Sequence, residues 1–406
     1  MTIHVIGAGL AGLAGALALA RAGRPVMLHE ATPQAGGRAR ALPDGTDNGT
    51  HALMGANRAA LAFLATIGAR RHWIEPEPAG LPVLDLADGT ARRAALSPRA
   101  WLSPALRPPG LTAGALITLG RLALPGPERS VARAFAAHPR LHRALIEPLT
   151  IAALNTPADE ASTRLLGAVL RRLGAPGATR LLVAERGLGP DLVAPALAAL
   201  RLAGASFRTG ARLRAIAMAH GRATALDFGE ESIPLAAADA VLLATPPWES
   251  ARLLPDLSPP AAYAPILNLH YARTGPGPVR FLGLLDALAQ WVLVRPAGVS
   301  VTVSAADAAI REEDSSALAR RAWSELRQAA LAFALPGDWP EAPPPWRVVK
   351  ERRATPRHTA GEAWPPPPRK PLRNLALAGD WTWPALPATI EAAIRSGTAA
   401  AGALRG

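Results

Sequence analysis

An α/β fold is predicted, a Rossmann-like nucleotide-binding sheet with a discontinuous α+β second domain, on three observations. The cluster Gly7-Ala-Gly9-Leu-Ala-Gly12 directly follows a strand at the start of the chain. Glu30 ends the next strand, where a carboxylate can accept both hydroxyls of a ribose. Far away in sequence, Leu377-Ala-Gly379-Asp380 turns an apolar strand toward a final helix. Together these imply a chain whose two ends grip one extended dinucleotide.

The elements follow in order. Thr2–Ile6 reads as a buried strand, Leu10–Ala22 as a helix and Pro25–His29 as a second strand, which is a βαβ opening. Residues 75–184 read as helical, broken at Pro108-Pro109-Gly110 and Pro125-Gly126-Pro127. Gly189–Ala203 is an expected helix, and Ala205–Phe228 alternates like strands that turn at His220-Gly221. Asp239–Thr245 is a buried strand ended by Pro246-Pro247. Strands at Val292–Val294 and Val299–Val303 precede a helix at Ala317–Phe333, and the last helix runs from about Ala388 to Ala403. This order implies a cofactor domain from residues 1–72, 185–246 and 366–406. The substrate domain, with a helical cap, is expected from 73–184 and 247–365.

The glycines have separate tasks. Gly7 permits the tight turn, Gly9 lets backbone approach a pyrophosphate, and Gly12 clears space between helix and strand. Leu10 and Ala11 open the helix whose positive end faces the phosphates. The doublet Gly36-Gly37 with Arg38 favours FAD over NAD, with Arg38 as a fixed cation near the pyrophosphate. Ala31 lies beside Glu30, and Leu213 and Ala244, in the stretches that return to the cofactor domain, join the binding candidates. Asp380 is expected on the ribityl chain. The helix starting near Thr389 and Ile390 is expected to aim its amides at the flavin pyrimidine oxygen.

Bulk properties bound the function. Half of the 406 residues are hydrophobic, so the chain can bury two cores. There is no cysteine, which excludes disulfides, thiolate metal sites and iron–sulfur clusters; no metal-binding cluster is expected. The net charge is +13, nearly all of it from arginine, since Lys350 and Lys370 are the two lysines. Compositional bias accounts for this, and attraction to anionic lipid is the functional alternative. With neither a recognition module nor a basic tail, nucleic acid is not an expected partner. The start reads as a strand and not a leader, and apolar runs stop short of membrane-spanning length. A cytoplasmic location is expected, with peripheral contact to the inner membrane through the apolar stretch Trp101–Leu124, flanked by Arg99, Arg107 and Arg121.

Candidates for chemistry are fewer. His51, in Asp47-Asn-Gly-Thr-His51, is the clearest titratable group near the flavin edge; it also reads as a structural histidine. Asn155, in Glu147-Pro-Leu-Thr-Ile-Ala-Ala-Leu-Asn155-Thr-Pro157, suits orientation of one hydroxyl in an apolar wall, or caps a helix. Trp381 and Trp383 follow the Gly-Asp turn and either line a substrate pocket or pack.

The frame of glycine cluster, Glu30, Gly-Gly-Arg and Gly379-Asp380 resembles the amine oxidase and phytoene desaturase flavoproteins. Asp47–His51, Ala152–Pro157, Glu351-Arg-Arg-Ala-Thr355, and Leu377-Ala-Gly-Asp-Trp-Thr382 with Leu386-Pro-Ala-Thr-Ile-Glu391 narrow the resemblance. Together they are similar to the squalene-associated FAD-dependent desaturases, understood as hydroxysqualene dehydroxylases. Thr50, Thr150 and Trp383-Pro-Ala-Leu-Pro depart from that family's usual Gln, Cys and Thr-Gly-Leu-Pro. The resemblance implies reduction of a C30 isoprenoid, hydroxysqualene, to squalene in a bacterial route to hopanoids. His51 or Asn155 would meet the hydroxyl and Trp381 or Trp383 the allylic cation. A carotenoid or phytoene-type desaturase is the alternative within flavoenzymes, and a non-catalytic prenyl-lipid-binding scaffold the alternative outside them.

Overall fold

The computed structural model describes residues 1–361 and 364–405; Gly406, which closes the last predicted segment, lies outside the described residues. Its first sheet has five parallel strands in the order Leu375–Leu377, Ala240–Leu243, Ile3–Ile6, Val26–His29, Ser206–Arg208. Strands that are apolar on both faces suit a parallel sheet covered on both sides. The helix Leu10–Ala20 covers one face together with the last helix, Ile390–Ala403. Leu253, Leu254, Leu257 and Trp381 cover the other face.

The two terminal helices cross closely because their contact is made of small residues. A Cβ on Gly397 would lie 2.0 Å from the Ala11 carbonyl oxygen, and one on Gly15 would lie 3.0 Å from the Gly397 oxygen. Only glycine allows this approach. The crossing fixes the final strand–turn–helix beside the first glycine turn.

The second sheet has seven strands in the order Trp346–Pro356, Tyr263–Tyr271, Gly298–Ser304, Trp291–Arg295, Arg280–Leu285, Leu81–Asp85, Ala91–Ala94. Alternation divides its faces. Leu267, Leu269, Tyr271, Val299, Val301 and Val303 pack on the amphipathic helix Ser315–Ala332. Asn268, His270, Ser300 and Thr302 occupy the intervening positions, joined by Thr302 Oγ1 donating to Asn268 Oδ1 and by a His270–Ser300 hydrogen bond. His220 and Gly221 both take positive φ in the tight turn between Ala215–Ala219 and Arg222–Asp227, as the hairpin requires.

One expectation fails. Residues 75–184 are not uniformly helical: Leu81–Asp85 and Ala91–Ala94 form a hairpin, and Leu181–Ala184 is a strand. Asp88-Gly89, with Gly89 at positive φ, is the turn that the apolar content masked. Within Trp101–Leu124 only Ala113–Leu122 is α-helical, after two short 3-10 turns at Ala100–Leu102 and Pro104–Leu106.

Three histidines are buried deeply enough to be held neutral. Burial lowers His29, His270 and His358 from the ordinary 6.5 to about 4, with the neighbouring His4 also acting on His29. On acidification the unfolded chain takes up these protons first. Stability is therefore complete above pH 6.5 and falls as the pH drops toward 4, by roughly 2 kcal/mol per histidine between pH 7 and pH 5. Urea unfolding at the two pH values reads this directly; a flat profile would mean that the rings are not buried in solution.

Candidate functional site

The first glycine turn is shaped by contacts within the protein at two of its three positions. Gly7 has φ +100, and a Cβ there would lie 2.7 Å from the Ala244 oxygen. A Cβ on Gly12 would lie 1.9 Å from the Gly7 oxygen. Gly9 differs. Its backbone is ordinary, and a Cβ there would meet only the Gly37 Cα, at 4.0 Å. The protein itself does not require glycine at position 9, so the space in front of it is a cradle that a ligand backbone can use. The helix that begins here has no side-chain cap and no acid in its first turn, leaving its amides at Leu10 and Ala11 available to an anion.

Glu30 is buried and already oriented. One carboxylate oxygen accepts from Ala8 N at 2.8 Å; the other accepts from Thr32 N at 2.9 Å and Thr32 Oγ1 at 2.8 Å. A carboxylate has about four acceptor positions, so capacity remains for a ribose hydroxyl. Ala31 beside it is exposed. Gly36, at φ +112, hydrogen-bonds Ala8 O at 2.8 Å, and a bridge joins Gly9 to Gly36. The doublet is thus drawn against the glycine turn.

Arg38 links the two halves of the sequence. Its Nη2 donates to Asp380 Oδ2 at 2.6 Å, and its Nη1 donates to the Ala354 carbonyl. Asp380 is held by Trp381 N at 3.0 Å, while Gly379 N donates to Ser396 Oγ at 2.9 Å. The sequence pointed to each partner of this pair but not to the pairing. Thr389 caps the last helix by accepting from Ala392 N at 3.2 Å, and Ile390 opens it. Leu213 lies in the core beneath, its carbonyl accepting from Arg252.

The candidates for chemistry fare differently. His51 is half-buried, and its Nδ1 donates to the Gly49 carbonyl at 3.0 Å, which leaves Nε2 as the lone-pair nitrogen. Burial is the main cause that lowers its pKa, against Asp47, so the ring stays neutral and its Nε2 offers a lone pair to a hydrogen-bond donor. Asp47 itself is structural: it accepts from Leu188 N at 2.7 Å and from Arg295 at 3.1 Å. Asn155 is the left-handed C-cap of Glu147–Leu154. Its amide donates to Ala264 O at 3.1 Å and Thr355 Oγ1 at 3.0 Å, and its oxygen accepts from Ala305 N at 2.6 Å. Both amide hydrogens are committed, so it ties the helical cap to the second sheet. Trp381 is packed in the core under the first sheet, and Trp383 lies beneath Arg369, 5.9 Å from ring centre to guanidinium.

Two further residues stand out: Glu391, which the sequence marked only as part of the last motif and without a role, and His358, which it left unremarked. Glu391 is fully buried and accepts from Ala59 N and Ala60 N, capping the helix Arg58–Thr66, with Arg395 at 2.6 Å. His358 Nε2 accepts from Ala388 N at 3.0 Å, just before the last helix. No spacing announces either role, because the Ala59 and Ala60 amides lie far from Glu391 in sequence and Ala388 lies 30 residues from His358. Among the described residues no group of three His, Asp or Glu side chains is arranged to hold a metal ion.

Comparison with known proteins agrees with this frame. The chain matches the family of flavin containing amine oxidoreductases over residues 10–275 and 285–405. It is 39% identical to the hydroxysqualene dehydroxylase of Rhodopseudomonas palustris, covering 98% of this chain and 97% of that protein. The hydroxysqualene dehydroxylase of Zymomonas mobilis is 34% identical over the same shares. Among solved structures, an oxidoreductase from Methanosarcina mazei superposes with a TM-score of 0.70 at 14% identity, covering 98% of this chain and 99% of its own. Cyclohexylamine oxidase from Brevibacterium oxydans gives 0.66 at 16% identity, covering 99% and 98%. These last two establish an amine-oxidase-like fold.

The two helix-turn glycines separate binding from folding. Gly9→Ala is expected to leave the apoprotein as stable as the parent, or more so by up to about 1 kcal/mol, while FAD content collapses. Gly12→Ala is expected to lower stability by about 1–3 kcal/mol, because backbone must move. Flavin absorbance per protein and thermal melts of the apoproteins measure both; full FAD occupancy in Gly9→Ala would refute the cradle.

Proposed function

The chain belongs to the hydroxysqualene dehydroxylases within the flavin containing amine oxidoreductases, and we propose that it reduces hydroxysqualene to squalene. The observation that carries the reading on the structural side is the Arg38–Asp380 pair, which joins the two flavin signatures at one place. Residues 1–72, 185–246 and 366–406 form the cofactor half in this reading, and 73–184 with 247–365 the substrate half. All five parallel strands fall in the first set and all seven of the second sheet in the other, which supports that division.

In this reading Gly9, Leu10 and Ala11 hold the pyrophosphate of FAD and Glu30 a ribose. Gly36 and Gly37 let backbone approach, and Arg38 with Asp380 lies along the remainder. FAD, when bound and reduced, would supply the hydride that replaces the hydroxyl, which leaves with a proton as water. The chain's task is to hold the alcohol in a dry place, orient its oxygen and keep water from the allylic cation. Asn155 supports this as a tether between the cap and the second sheet. His51, neutral with its Nε2 lone pair free, is suited to accept a hydrogen bond from the substrate hydroxyl and so to orient it. Anaerobic incubation of the reduced holoenzyme with hydroxysqualene should yield squalene. A desaturated polyene, or no product, would replace this reading with the desaturase or scaffold alternative.

A C30 hydrocarbon substrate resides in a bilayer, and contact with the cytoplasmic face of one follows as part of the proposal. No helix among the described residues is long and apolar enough to cross a membrane. Support for surface contact comes from Leu102, Leu116, Ile117 and Leu124, all exposed, beside the exposed Arg99, Arg107 and Arg121. Replacing Leu116 and Ile117 together by Asp should reduce flotation with anionic liposomes at least several-fold, without changing thermal stability. Equal flotation of parent and variant would remove this surface from the proposal.

A further inference from the structure

We propose that His358 is the residue that recognises the substrate hydroxyl, and that it distinguishes the alcohol from the hydrocarbon product; this rests on the function proposed above. The observation is a buried, unsatisfied donor on a ring that lines a cavity. His358 is 3% exposed, and its Nε2 is occupied as the acceptor for Ala388 N–H. A backbone N–H can only donate, so the ring proton of the neutral imidazole sits on Nδ1. That Nδ1 is buried and has no hydrogen-bond partner among the described residues. The ring lines a cavity with Arg164, Leu165, Thr359, Trp364, Pro384 and Leu386.

The placement matters as much as the donor. Trp364 stacks near the imidazole, 5.7 Å between ring centres, and its Nε1 donates to the Trp381 carbonyl. The cavity is therefore walled by the segments on either side of the Gly379-Asp380 turn. The backbone of His358 is fixed from the cap: Thr156 Oγ1 accepts from His358 N, and Ser162 N donates to His358 O. The ring is held on three sides before any substrate arrives.

A buried, unpaired N–H is costly, and this one has no partner among the described residues. An alcohol oxygen satisfies it; a hydrocarbon does not. Sites built to hydrogen-bond a hydroxyl reject analogues that lack it. The same asymmetry favours release of product, which leaves without an oxygen. Nδ1 is a hydrogen-bond donor here and transfers no proton.

The test begins with the FAD-loaded wild type, titrated with hydroxysqualene and with squalene in detergent while flavin absorbance is followed. The alcohol should bind at least about tenfold more tightly. His358→Gln keeps an acceptor near the Nε2 position and removes the donor near Nδ1. It should weaken the alcohol about tenfold, leave squalene within about twofold and retain flavin. His358→Asn places an amide donor near Nδ1 and should recover most of the alcohol affinity. Equal affinity of the wild type for the two ligands overturns the proposal, as does a Gln variant that weakens both alike. Wild type that converts hydroxysqualene yet does not discriminate sinks this inference alone. Wild type that makes no squalene sinks the reading beneath it.

Discussion

The rest of the structure depends on the close crossing of the first and last helices. Gly397 lies where a methyl group would collide with the Ala11 carbonyl, and Gly15 admits the same contact from the other side. This approach holds the strand Leu375–Leu377 at the edge of the parallel sheet and the Asp380 turn beside Arg38. Glu391, on the same helix, reaches the amides of Ala59 and Ala60. One helix thus carries the contacts that close the nucleotide-binding half. Backbone approach and charge act together, since neither the ion pair nor the cap can form unless the helices come this near.

The site has a consistent electrostatic logic. A helix end is left without a cap, which suits an anion; a carboxylate keeps spare acceptor positions, which suits a ribose; and a cation is anchored by a buried aspartate. On the substrate side the logic reverses. Charges are paired off, as with Arg357 on Glu160 and Asp307, and the imidazoles of His270 and His358 are held neutral by burial. A greasy substrate with one hydroxyl suits such surroundings, in which a single polar contact decides orientation.

What the sequence disclosed and what it withheld follow one rule. Gly7, Gly9, Gly12, Glu30, Gly36, Gly379 and Asp380 were legible because backbone geometry leaves a local signature within a few residues. The hairpin at 81–94 was missed because apolar content outweighed one Asp-Gly turn. Asn155 was legible as a polar residue at a helix end, but its three partners lie in strands and loops more than a hundred positions away. His358 and Glu391 act on distant backbone amides, which no spacing reveals. The tryptophans at 381 and 383 drew attention by adjacency, yet adjacency along the chain did not decide which way the rings faced.

The second sheet places Leu81–Asp85 in parallel beside Arg280–Leu285. During synthesis the early hairpin emerges long before the neighbour that completes its edge. Until then it presents unpaired amides and a greasy face to water or to a chaperone. The nucleotide-binding half waits longer still, because its outer strand and closing helix are translated last. Such an order of pairing favours slow, end-dependent maturation, with holdase protection of the nascent chain as its natural companion.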